Sequence, residues 1–165
     1  MNNLSRITLV LSIIGLGAIF VVSSSSEGMY YRGLNDTERD RAELITRSLE
    51  MAFVEKRLHG RRLTEEMGFF VLSSKNVPRG FIPQIYGFTI VVLDVEEVRE
   101  RVAQGRLDIY LEFETIDLKS PEIALVKFGY VIPRGGGISD YGGIAIFFNK
   151  EAGSWDGKVG YFWIT

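Results

Sequence analysis

Between Leu107 and Ile132 two stretches alternate apolar and polar side chains with a period of two, a spacing that fits strands and not helices. In the first, Leu107, Ile109, Leu111 and Phe113 face one way, and Asp108, Tyr110, Glu112 and Glu114 the other. In the second, Ala124, Val126, Phe128, Tyr130 and Ile132 share one side. A turn over residues 117–122, carrying Pro121, joins the two, so the pair reads as an antiparallel hairpin. With Ile116 opposite Ile123, Phe113 meets Val126, Leu111 meets Phe128 and Ile109 meets Tyr130, while Glu112 faces Lys127 on the other side. One register satisfies both faces, and a slip of a single residue would invert every side chain.

Two more strands continue this meander. Ile144, Ile146 and Phe148 extend the apolar side, and Phe162 and Ile164 finish it. The opposite side gathers Tyr110, Glu112, Glu114, Lys127, Phe147, Tyr161 and Trp163. A purely solvated face has no use for those aromatics, so either another part of the chain, such as the first helix, covers them, or a ligand or partner does.

Upstream, Asn35 is placed to cap a helix, with Glu38 completing a capping box. Ala42, Ile45, Leu49, Ala52 and Phe53 form its buried stripe, Glu43 and Arg47 pair one turn apart, and Gly60 supplies the stop. Phe69 to Leu72 and Phe88 to Leu93 read as short strands, joined by a loop containing Pro78, Gly80, Pro83 and Gly87. A second helix follows, capped by Asp94 with Glu97 closing its box, buried through Val95, Val98 and Val102, and ended by Gly105. The fold class is α+β: an N-terminal hydrophobic helix, then helix, two strands, helix and a four-stranded antiparallel meander, a curved sheet packed on helix.

Residues 7–22, ITLVLSIIGLGAIFVV, carry no charge; Arg6 precedes them and Ser23 to Ser26 follow. A cleavable signal peptide fits, with its cut among the serines. A permanent single-span anchor also fits once Leu4 and Ser23 are included, since about 17 apolar residues suffice. The expected organisation is residues 1–26 as signal peptide or anchor, 27–34 as juxtamembrane linker and 35–165 as one domain. An N-terminal signal normally keeps its own start inside, placing the domain outside the cytoplasm or in the periplasm. Arg32, Arg39 and Arg41 argue the other way, although they are interleaved with acidic residues.

Composition excludes several chemistries. The absence of cysteine removes thiol nucleophiles, disulfides, thiolate metal sites and lipid attachment through sulfur. A net charge of −2 gives no basic footprint for nucleic acid. His59 is the sole imidazole and sits beside Gly60 and two arginines, as a surface residue near a helix end would, so histidine triads and zinc sites are not expected. The glycines 135–137 lack the Gly-Lys-Ser/Thr ending of a phosphate loop and read as a hairpin loop. No cofactor or metal is expected.

The closing stretch, Gly142-Gly143-Ile144 through Gly153 and Trp155 to Trp163-Ile164-Thr165, resembles the tails of bacterial envelope proteins with a cystatin-like or nuclear-transport-factor-like α+β domain. The two strands ahead of the second helix depart from that class, in which helices come first. The resemblance implies a helix cradled by a curved sheet and leaves function open, since such folds host enzymes, binders and assembly modules alike. The expected function is a membrane-anchored or exported, non-catalytic binding domain of the cell envelope. Its membrane contact is through residues 7–22. Its partner, a protein or a small apolar ligand, meets Tyr110, Lys127, Phe147, Tyr161 and Trp163. The rival is a small cone-shaped hydrolase or isomerase using Glu112 or Glu114, two positions apart on one strand face, with Tyr110.

Overall fold

The computed structural model describes residues 31, 33–58, 69–134 and 139–164. The apolar run 7–22, the serine tract, His59, Gly60 and the glycines 135–137 lie outside the described residues. From Asn35 onward the chain forms one compact unit. Among the described residues no helix is long and apolar enough to cross a membrane.

Helix α1 spans Asp36–Leu49 and begins as its sequence dictates: Asn35 Oδ1 accepts from the Glu38 backbone N–H at 3.0 Å, and Glu38 Oε2 accepts from the Asn35 N–H at 2.9 Å. Ala42, Leu44, Ile45 and Leu49 are fully buried. The helix continues into a wider π turn, Glu50–Val54, which keeps Met51 and Ala52 inside and stacks Phe53 on Phe70 with ring centres 4.2 Å apart. The helical run ends at Val54, and Lys56 takes up a left-handed φ of 57°, so the stop comes ahead of Gly60. Arg47 pairs with Glu50 on the π turn and with Glu55 just beyond it.

Six strands form one sheet in the order β2-β1-β3-β4-β5-β6. They are β1 (Phe69–Ser73), β2 (Thr89–Leu93), β3 (Tyr110–Ser120), β4 (Ile123–Pro133), β5 (Ser139–Glu151) and β6 (Ser154–Ile164). Strands β3 to β6 are the expected antiparallel meander. The sheet as a whole is mixed, because β1 runs parallel to both β2 and β3. Parallel neighbours need long connections of about a dozen residues. Residues 74–88 supply one, and helix α2 (Val95–Ala103) lies on the other. Asp94 caps α2 without the expected box: it accepts from Ser74 Oγ, and Glu97 pairs with Arg101.

Each sheet face has its own helix. On one, Phe113, Phe128, Ile144, Ile146 and Phe148 are sealed from solvent, with α1 packed over them. Phe113 and Phe128 are cross-strand partners with ring centres 4.9 Å apart. Burying rings of this size removes about 150–250 Å² each from water and dominates the core. On the other face, Val71 and Leu93 meet Val98 of α2, with Val102, Leu107 and Tyr110 packed alongside.

The hairpin register differs from the expected one. Leu111 pairs with Tyr130, Phe113 with Phe128 and Ile116 with Val126, because the turn is tighter and Ser120 pairs with Ile123. The initial shift is two residues, so sides are conserved while partners change. A bulge between Phe113 and Thr115 then moves the apolar phase from odd to even positions, placing Ile116 on the side of Phe113. Strand β3 begins at Tyr110, so Leu107 and Ile109 precede it. Phe162 and Ile164 fall on the register of the apolar side but are 52% and 79% exposed. Helix α1 covers the other end of β6, around Trp155 and Gly157.

Candidate functional site

On the face carrying Lys127, Tyr161 and Trp163, α2 packs against β1, β2 and the start of β3 at Tyr110. Among the described residues, the β3–β6 half of that face holds an open groove of about 570 Å³. That volume lies in the range of small-molecule sites, about 300–1,000 Å³.

Successive cross-strand rows build the groove. The central row runs Glu112, Gly129, Gly143, Trp163 across β3, β4, β5 and β6. The two inner positions carry no side chain, and that absence makes the depression. A Cβ on Gly129 would lie 2.0 Å from the Gly142 carbonyl oxygen, so no larger residue fits without moving backbone. Trp163 lays its six-membered ring over Gly143, where a Cβ would come within 2.5 Å of the ring. The next row is Thr115, Lys127, Ala145, Tyr161, and the row on the opposite flank brings together Tyr110, Val131 and Tyr141.

Charge around the groove is balanced. Lys75, in the loop after β1, places Nζ 2.6 Å from Glu112 Oε1. Glu112 therefore takes its cation from Lys75, and its backbone partner is Gly129, not Lys127. Lys127 instead lies over the Tyr161 ring, with Nζ 5.8 Å from its centre. A hydrogen bond with the Tyr161 phenol, aided by Glu114, holds the Lys127 ammonium above the ordinary lysine value. Glu114 sits in the bulge, whose backbone is pinned from outside: Asn76 Nδ2 donates to the Phe113 carbonyl at 2.8 Å and the Glu114 carbonyl at 3.0 Å.

The structure brings Glu112, Glu114, Lys127, Tyr161 and Trp163 into one groove. Phe147 shares their sheet face but stands outside it, its ring over Gly160. Tyr110 borders a different cavity of about 350 Å³, beside Arg101, Arg106 and Asp108. Burial, reinforced by the Glu112 charge, pushes the Tyr110 phenol up to about 12, so it keeps its proton throughout the physiological range. Sequence reasoning missed Lys75, Gly129 and Tyr141. The alternation around Gly129 was a usable signal, since it stands where an outward-facing side chain belongs. Lys75 had none, because it arrives through parallel pairing of β1 with β3.

Among the described residues no group of three or more His, Cys, Asp or Glu side chains is arranged to hold a metal ion. No known protein family, curated protein or solved structure matches this chain.

Proposed function

We propose that residues 35–165 form a non-catalytic binding domain of the cell envelope, exported or membrane-anchored through residues 7–22. Its ligand or protein partner is received in the β3–β6 groove. The observation that carries this reading is the central row of Glu112, Gly129, Gly143 and Trp163. It leaves a depression in a sheet face that the helix packing α1 onto β4 and β6 does not fill. Half-exposed Tyr141 and Tyr161 border it. Such aromatics at a concavity are the ordinary currency of recognition. Lys75, Lys127, Glu112 and Glu114 also border it, so a wholly apolar ligand would desolvate charges without replacing their water, which is unfavourable. The ligand therefore carries polar groups as well as an apolar face.

The test is retention from an envelope extract by the full chain, compared with Trp163→Ala and with Phe147→Ala as the control on the same face. A species held by the wild type and the Phe147 variant and lost by the Trp163 variant supports the groove. Identical recovery by all three contradicts it.

A further inference from the structure

Resting on the groove as a binding site, we infer that its ligand is a carbohydrate, read through an uncharged pyranose ring. Three features select that class. First, the rim charges cancel: Lys75 and Lys127 stand against Glu112 and Glu114, and the 2.6 Å contact between Lys75 and Glu112 already neutralises one pair. A polyanion or a polycation would meet as much repulsion as attraction there. Second, the same four side chains offer carboxylate acceptors and ammonium donors around a small perimeter, which is what a ring of hydroxyls, each both donor and acceptor, requires. Third, the floor at Gly129 is bare backbone and Trp163 lies across the adjacent Gly143, so a flat ring settles with one C–H face against the indole. A pyranose alternates apolar C–H faces with a hydroxyl equator, and the groove alternates aromatic surface with charged hydrogen-bonding groups in the same way.

Calorimetry on the full chain, held in a detergent without sugar headgroups, tests this. The probes are linear tetrasaccharides of β-linked glucose and of N-acetylglucosamine, with inorganic phosphate and an oligolysine peptide as charged controls. The expected result is saturable binding of at least one neutral tetrasaccharide that changes less than about twofold when salt is raised severalfold. Trp163→Ala weakens it about tenfold or more, while Phe147→Ala leaves it unchanged. Trp163→Phe, which keeps a ring over Gly143, retains most of the affinity and guards against a folding artefact. Binding of a charged control in place of the sugars, lost in Trp163→Ala, overturns the carbohydrate assignment and leaves the groove a binding site. Absence of any saccharide binding, together with unchanged retention from envelope extract by Trp163→Ala, overturns both.

Discussion

Trp163 and Gly143 are cross-strand partners in which the tryptophan ring fills the space the glycine leaves empty. The pair, with Gly129 beside it on β4, sets the depth of the groove. Adding a methyl group at either glycine distinguishes what confines them. At Gly129 the Cβ meets the Gly142 carbonyl at 2.0 Å and the Gly143 Cα at 2.6 Å, both backbone. At Gly143 it meets the Trp163 ring at 2.5 Å and the Phe128 carbonyl at 2.6 Å. Both substitutions to Ala destabilise, by about 1–3 kcal/mol for overpacking of this kind. Gly129→Ala is the more costly, because its three nearest contacts are all backbone and one is at 2.0 Å, whereas two of the three at Gly143 belong to an edge-strand side chain. Urea unfolding of the two variants gives the order directly.

A second relationship ties helix to sheet. Asp40 of α1 accepts hydrogen bonds from Lys150 and, at 3.2 Å, from the indole N–H of buried Trp155. Lys150 also lies over the Trp155 ring, with Nζ 5.1 Å from its centre. Asp40→Ala leaves a buried donor and a half-buried ammonium without that acceptor, and its expected cost is about 1–3 kcal/mol. Asp40→Asn, which can still accept from the indole, loses less. The comparison is read from denaturant midpoints at neutral pH.

Tyr110 predicts a pH dependence. Its phenol is raised from 10.0 to about 12 in the folded chain, chiefly by burial. The unfolded state therefore releases this proton first as pH rises. The contribution is complete below pH 10 and declines between about 10 and 12, so stability falls with alkali across that window. Tyr110→Phe flattens this part of the stability–pH curve, and ultraviolet titration of the native chain loses a phenol ionising at about 12.

The placement of the domain yields its own outcome. Protease added to intact spheroplasts degrades residues 35–165 when the run 7–22 has directed them outward. Sequencing the N-terminus of the mature chain then separates anchor from signal peptide: loss of about the first 26 residues identifies cleavage. Protection in intact spheroplasts with degradation only after lysis contradicts an outward-facing domain.

Much of the fold was legible because strand and helix periods are written locally. The Asn35–Glu38 box and the apolar sides of β4 and β5 needed nothing beyond the residues themselves. Partners in the β3–β4 hairpin were less legible. Pairing depends on the length of the turn and on bulges, and the bulge after Phe113 is held by Asn76, more than thirty residues upstream. Strand direction is not encoded in a strand's own pattern either, so the parallel β2-β1-β3 unit was invisible, and with it Lys75. Most of the groove's aromatic and charged rim was visible as one face. Its depth was not, because depth comes from two glycines that only the register of β4 against β5 sets side by side.

The most direct test of the account is a nuclear magnetic resonance footprint on the isotope-labelled full chain, titrated with a small-molecule extract of the cell envelope. The predicted result is saturable shifts at the backbone amides of Gly129, Gly143 and Ala145 and at the Trp163 indole N–H, with the amides of α1 unmoved. Shifts confined to α1 or to the turn between β5 and β6 at Ala152 and Gly153, or no saturable shift at all, would contradict it.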